Sequence, residues 1–237
     1  MPLSRAFYFY WASKDVAGLG NSILFVALVT LGYQVEESTT IASIIVVAML
    51  LPPFLLTPLV DRFVYGRRAY PTTLIASLAV IAALLPLTTV ATTAQLKLVL
   101  AATFAAAIPA AFLKSARKAM LPTIIGNELA AAEKALDTTR IITLIVGPAA
   151  GAYLFGSANF GAAGFSTCAI AAIIALSVST VLLIFSRPSP VDWPPFQPQP
   201  LAVKLAELQK GLVYTWQLPA LRTVATIHLG AALLVGV

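Results

Sequence analysis

The sequence predicts an all-α integral membrane protein. A bundle of six transmembrane helices is expected over residues 1–185, a proline-rich linker with an amphipathic helix over 186–220, and an incomplete seventh helix over 221–237. Three observations carry this. First, 59% of the 237 residues are hydrophobic and only 10% are charged, whereas a soluble domain carries about 25% charged residues. So little polar surface cannot cover a water-soluble globule of this size, and lipid must cover part of it. Second, the apolar residues come in continuous runs of roughly the 20 residues that a helix needs to cross hydrocarbon, without the period-two alternation of barrel strands. Third, the lysines and arginines between the runs fall in alternate connections, as they do when every second loop faces the cytoplasm.

The first span runs from about Ala6 to Tyr33 and is interrupted by Lys14 and Asp15. Its start, MPLSRAFYFYWASKD, has no small-residue cleavage site behind a short apolar core, so the span is expected to stay in the protein. The cluster Phe7 to Trp11 reads as an aromatic anchor at the membrane interface. Further spans are expected at Ile41–Val60, Ala69–Val90, Leu96–Leu113, Thr138–Phe155 and Phe160–Phe185.

Arg5 precedes the first span, and Glu36 and Glu37 follow it. Arg62, Arg67 and Arg68 lie between the second and third spans, and Lys97 alone between the third and fourth. Lys114, Arg117, Lys118 and Lys134 lie between the fourth and fifth, and GSANFG, between the fifth and sixth, has no charge. The positive-inside rule then places the N-terminus in the cytoplasm; the protein is expected in the plasma (inner) membrane. In the linker, SRPSPVDWPPFQPQP breaks helix formation. Leu201, Leu205, Leu208 and Leu212 then recur at helical spacing, with Lys204, Glu207 and Lys210 between them, as in a helix lying on the inner membrane surface. The last run ends at Val237 on an apolar residue with no flanking charge, and the chain is expected to be truncated there.

Composition also excludes. The net charge of +6 reads as topology, and no nucleic-acid partner is expected. A single cysteine, Cys168, rules out an intramolecular disulfide and a cysteine metal cluster, and a single histidine, His228, argues against a histidine-dependent triad or metal site. There is no nucleophile–histidine pair and no metal-ligand spacing, so neither an enzyme nor a cofactor is expected.

The stretch LTPLVDRFVYGRRAYPTTL, residues 56–74, places Asp61, Arg62, Gly66, Arg67 and Arg68 on the short connection between two apolar runs. Topology anchoring would account for the arginines but not for Asp61 or Gly66. The arrangement resembles the signature loop of the major facilitator superfamily, G-x-x-x-D-[RK]-x-G-[RK]-[RK]. Here the first glycine is replaced by Thr57, and two more residues than usual separate Asp61 from Gly66. The variant D-x-F-x-x-G-R, with Phe63, is similar to the loop of bacterial lysophospholipid transporters. Residues 111–155 resemble the fourth-to-fifth helix region of the enterobactin-exporter and macrolide-efflux branch. The likeness rests on Ser115-Ala116-Arg117, Leu121-Pro122, Ala132-Glu133, Leu136 and the packing motif Gly147, Pro148 and Gly151.

The resemblance implies the N-terminal half of a protein with two six-helix bundles around a central cavity. It implies a gating loop at Asp61 to Arg68 that latches the inner face, and secondary active efflux of a small amphipathic or hydrophobic solute by alternating access. Lysophospholipid flipping is a subtype of that function. The alternative is a non-transporting half-transporter remnant or a subunit that needs a second six-helix half. Expected partners are a small-molecule substrate, the bilayer, and the missing C-terminal half or a second half-transporter.

Charges within a span are costly and functional by default. Lys14 and Asp15 are therefore candidates for a substrate or coupling site, unless the first span begins near Val16 and both lie at the interface. Asn21 stands where the efflux branch often has an acid, and its neutral amide weakens proton coupling there. Asp137 and Arg140, with Glu133, share one helix face and read either as coupling residues or as the polar closure of a helix end.

Overall fold

A computed structural model describes residues 4–36, 39–61, 64, 68–90, 95–125, 129–158 and 161–187, together with 210, 213 and 217. Two compact units are present, Met1–Pro194 and Pro195–Val237. In the second unit, Lys210, Val213 and Gln217 are helical and exposed. The rest of the expected linker and its amphipathic helix, residues 186–187 apart, and all of the expected seventh helix lie outside the described residues.

The first unit is helical throughout its described length, apart from turns and caps. It comprises α1 (Arg5–Glu36), α2 (Thr39–Val60), α3 (Ala69–Leu84), α4 (Leu96–Ile125), α5 (Leu129–Ser157) and α6 (Ala162–Phe185), and a 3₁₀ turn, Leu85–Thr89, continues α3. Among the described residues, α1, α3 with its 3₁₀ turn, α4, α5 and α6 are long and apolar enough to cross a membrane. The apolar stretch of α2, Ile41–Thr57, is shorter. Their outer faces carry large aliphatic side chains in the open, among them Ile75 (67% exposed), Ile145 (68%) and Ile174 (57%). Water does not tolerate apolar surface on this scale. The protein is all-α and membrane-embedded.

Two of the helices are longer than the apolar runs that announce them. The fourth run ends near Leu113, yet α4 continues to Ile125; the fifth begins near Thr138, yet α5 starts at Leu129. Lys114, Arg117, Lys118 and Lys134 therefore sit on helices and not in a loop. Hydropathy falls where side chains leave hydrocarbon, whereas the helix continues through residues of good propensity such as Ala, Lys, Arg and Met.

The chain runs up and down. One apolar cluster unites Phe7 and Tyr10 from the start of α1, Val60 from the end of α2, and Ala69 from the start of α3. It also takes in Met120 and Ile124 from the end of α4, Leu136 from the first part of α5, and Leu183 from the end of α6. The second cluster fills the middle and the opposite end, around Leu28, Leu31, Ile45, Leu87 and Phe165. All odd-numbered helices thus start, and all even-numbered helices finish, at one end of the bundle. Ser4 Oγ, which donates to Ile124 O at 3.3 Å, and Tyr70 Oη, which donates to Ile184 O at 3.2 Å, tie that end together.

α1 packs against α6, α5 and α2, while α4 packs against α3 and α2. Small residues set the spacing, because lipid provides no hydrophobic drive for helix association and close backbone approach must supply the contact. Gly20 of α1 faces Ala172 and Ala175 of α6; a Cβ on it would come within 2.9 Å of Ala175 Cβ. Gly32 of α1 faces Ala42 and Ile45 of α2, and Gly164 of α6 lies on the Phe155 carbonyl.

Candidate functional site

The end of the bundle defined by Phe7, Tyr10 and Met120 is also where polar and charged side chains enter the helix interfaces. Lys14 and Asp15 lie in the third turn of α1 and are both half-buried. Thr139 of α5 binds Asp15 into the bundle: its Oγ1 donates to Asp15 Oδ1 at 3.0 Å and accepts from Trp11 Nε1 at 2.8 Å. Lys14 lies within electrostatic range of Asp15, of Asp137 and Arg140 on α5, and of Arg117 on α4. Four of the residues singled out in the sequence, Lys14, Asp15, Asp137 and Arg140, therefore share one locale on α1 and α5. Asp137 and Arg140 are themselves exposed. Asn21 is also exposed, about 9 Å further along α1 at 1.5 Å per residue, and takes part in none of these bonds.

Arg117 is the member that sequence reasoning missed. In the sequence it reads as a loop cation, but its Nη2 donates to Ser179 Oγ of α6 at 3.0 Å and to Ser13 Oγ of α1 at 3.4 Å. The two serines also bind each other: Ser179 Oγ donates to the Ser13 carbonyl at 2.7 Å, and the hydroxyls lie 3.0 Å apart. Tyr10 Oη donates to the Arg117 carbonyl at 3.0 Å. Arg117 Nε is buried without a hydrogen-bond partner, and no carboxylate of the described residues pairs with the guanidinium. The signal available in the sequence was a helical register. Arg117 follows Leu113 by about one turn, and Ser13 and Ser179 lie about two turns from the ends of their own helices.

The packing motif of α5 faces α1. A Cβ on Gly147 would collide with Ser22, and one on Gly151 would lie 3.1 Å from both Ile23 Cα and Ile23 O. Pro148, inside α5, withholds the donor that the Leu144 carbonyl would otherwise receive. Cys168 packs behind the same strip, with Sγ 3.5 Å from Gly151 O.

Of the loop after α2, Asp61 is half-buried and its N–H donates to Thr57 O at 2.9 Å, while Arg68 is exposed at the start of α3. Arg62, Gly66 and Arg67 lie outside the described residues. Among the described residues, no group of three or more His, Cys, Asp or Glu side chains is placed to hold a metal ion. Comparison with protein-family models, with curated proteins and with solved structures finds no match.

Proposed function

We propose that the chain is the N-terminal six-helix half of a secondary active transporter of the major facilitator type. It exports a small amphipathic solute across the inner membrane, with its N-terminus in the cytoplasm. The observation that carries this is the polar cluster itself. Lys14, Asp15 and Arg117 enter helix interfaces of a membrane bundle, and buried charges at such depth mark substrate or coupling pathways. The sequence likeness at Asp61 to Arg68 and at Gly147, Pro148 and Gly151 supports the same proposal. Alternating access then requires a second six-helix half, on the same polypeptide or on another. Asp61, at the end of α2, is the acid of the inner latch. The latch holds one of two arrangements that substrate binding biases.

The test is flux. The protein together with its second half is reconstituted in proteoliposomes and offered anionic, neutral and cationic amphipathic dyes under a proton gradient. At least one dye is expected to move, and Asp61→Asn is expected to abolish its movement while membrane insertion is retained. Unchanged flux in Asp61→Asn removes the latch; no flux of any dye removes the transporter proposal. The intact mass in the membrane fraction, near 24.9 kDa or about twice that, decides whether the second half belongs to the same polypeptide.

A further inference from the structure

We propose that Arg117, held by Ser13 and Ser179, is an acceptor site for one oxyanion, a carboxylate or phosphate ester carried by an amphipathic molecule. A guanidinium has five N–H donors and no acceptor. Among the described residues, both bonds that Arg117 makes through its side chain use Nη2. Nε is buried and unpartnered, and no carboxylate of the described residues offsets the charge. A buried cation without a counter-charge is costly, and an oxyanion is the ligand that removes the cost. The planar fork of arginine matches carboxylate and phosphate better than the point charge of lysine would.

The charge balance of the cluster points the same way. Two further cations, Arg117 and Arg140, lie within electrostatic range of Lys14, against the two carboxylates Asp15 and Asp137. Neither carboxylate pairs with Arg117, whose positive charge is left for an anion. The serines cannot neutralise it, since they are neutral and already bonded to each other. They fix the Nη2 edge, so the rest of the fork is oriented before any ligand arrives. Although Nε is buried, Arg117 as a whole is half-buried, so part of the residue is exposed. Lys114 and Lys118 are exposed on the same segment of α4 and raise the local concentration of anions.

Depth selects an amphipathic carrier. Arg117 lies eight residues before the end of α4 at Ile125, about 12 Å at 1.5 Å per residue. The 30-residue helix is about 45 Å long, about 15 Å more than the hydrocarbon it crosses. The guanidinium therefore stands near the boundary between headgroups and hydrocarbon, where an anionic head and an apolar tail can both be accommodated. As a substrate subsite it rests on the transporter proposal; as a binding site it does not.

The test is ligand binding to the full 237-residue chain in neutral detergent, read by native mass spectrometry and thermal shift. The probes are dodecanoate, lysophosphatidylglycerol, a neutral monoacylglycerol of the same chain length, and inorganic phosphate. Saturable binding of the two anionic amphiphiles is expected, weakened about tenfold to a hundredfold in Arg117→Gln and partly restored in Arg117→Lys. Binding of inorganic phosphate with the same dependence on Arg117 identifies a free anion as the ligand, whereas binding that needs the acyl chain identifies a lipid or lipid-like one. Absence of saturable anion binding, or equal binding by Arg117→Gln, overturns the site. If Arg117→Gln does not fold, the wild-type preference decides: dodecanoate favoured over the monoacylglycerol by about tenfold supports the site, and parity overturns it. Anion binding without flux keeps the site and removes the transporter proposal. Flux without anion binding does the reverse.

Discussion

Gly147→Ala adds a single methyl group where α5 meets α1. The new Cβ would overlap Ser22 Cβ and lie 3.0 Å from Ser22 Oγ. Ser22 Cβ is fixed to the backbone of α1, so a rotamer change cannot move it aside and the two helices must separate. The next turn offers no slack, because a Cβ on Gly151 would already lie 3.3 Å from Val26 Cβ and 3.1 Å from the backbone of Ile23. Alanine for glycine in a helix normally gains about 1 kcal/mol. Overpacking a close contact costs about 1–3 kcal/mol. The balance is a net loss of up to about 2 kcal/mol, and Gly147→Leu must lose more. The measurement is equilibrium unfolding in mixed micelles, followed by tryptophan fluorescence. Ser22→Gly removes the opposing Cβ, so the double variant should recover stability, with a coupling of about 1–3 kcal/mol. Gly18→Ala is the control: its Cβ would meet Thr143 at 3.5 Å, an ordinary contact, and stability should hold or rise. A Gly147→Ala protein more stable than wild type, or a cycle with no coupling to Ser22, would refute the close-contact argument.

Thr139→Val should leave Trp11 Nε1 and Asp15 Oδ1 without their shared partner, costing about 1–3 kcal/mol. Thr139→Ser should restore most of that in the same unfolding assay, and equal loss in both variants would mean that packing, not the hydroxyl, matters. Gly161 has φ +80 with no atom within 4 Å of a Cβ built on it. Gly161→Ala should therefore cost about 1–3 kcal/mol through the backbone alone, and an unchanged midpoint would show that the turn before α6 relaxes freely. For the proposed orientation, a reporter fused after Arg68 should be active on the cytoplasmic side and one fused after Glu37 should not; the opposite pattern reverses the topology.

Hydropathy alone identified an all-α membrane protein. Covering this much apolar surface needs lipid, and continuous apolar runs satisfy their backbone hydrogen bonds in lipid only as helices. Where those helices end was not legible in the same signal. α4 and α5 run on past the apolar residues, because helix propensity and tertiary contact continue after hydrocarbon stops. The sequence also pointed to Lys14 and Asp15 by their expense within an apolar run, and to Asp137 and Arg140 by their shared face. It could not show that α1 and α5 bring these four together, because that depends on contact between segments more than a hundred residues apart. Arg117 was least legible of all. In sequence it is one cation among Lys114, Lys118 and Lys134, and only the meeting of α4 with Ser13 of α1 and Ser179 of α6 sets it apart. Composition and spacing determine which segments enter the membrane. The packing of small residues, Gly20 on Ala172 and Gly147 on Ser22, decides which faces meet, and so which charge is buried without a counter-charge.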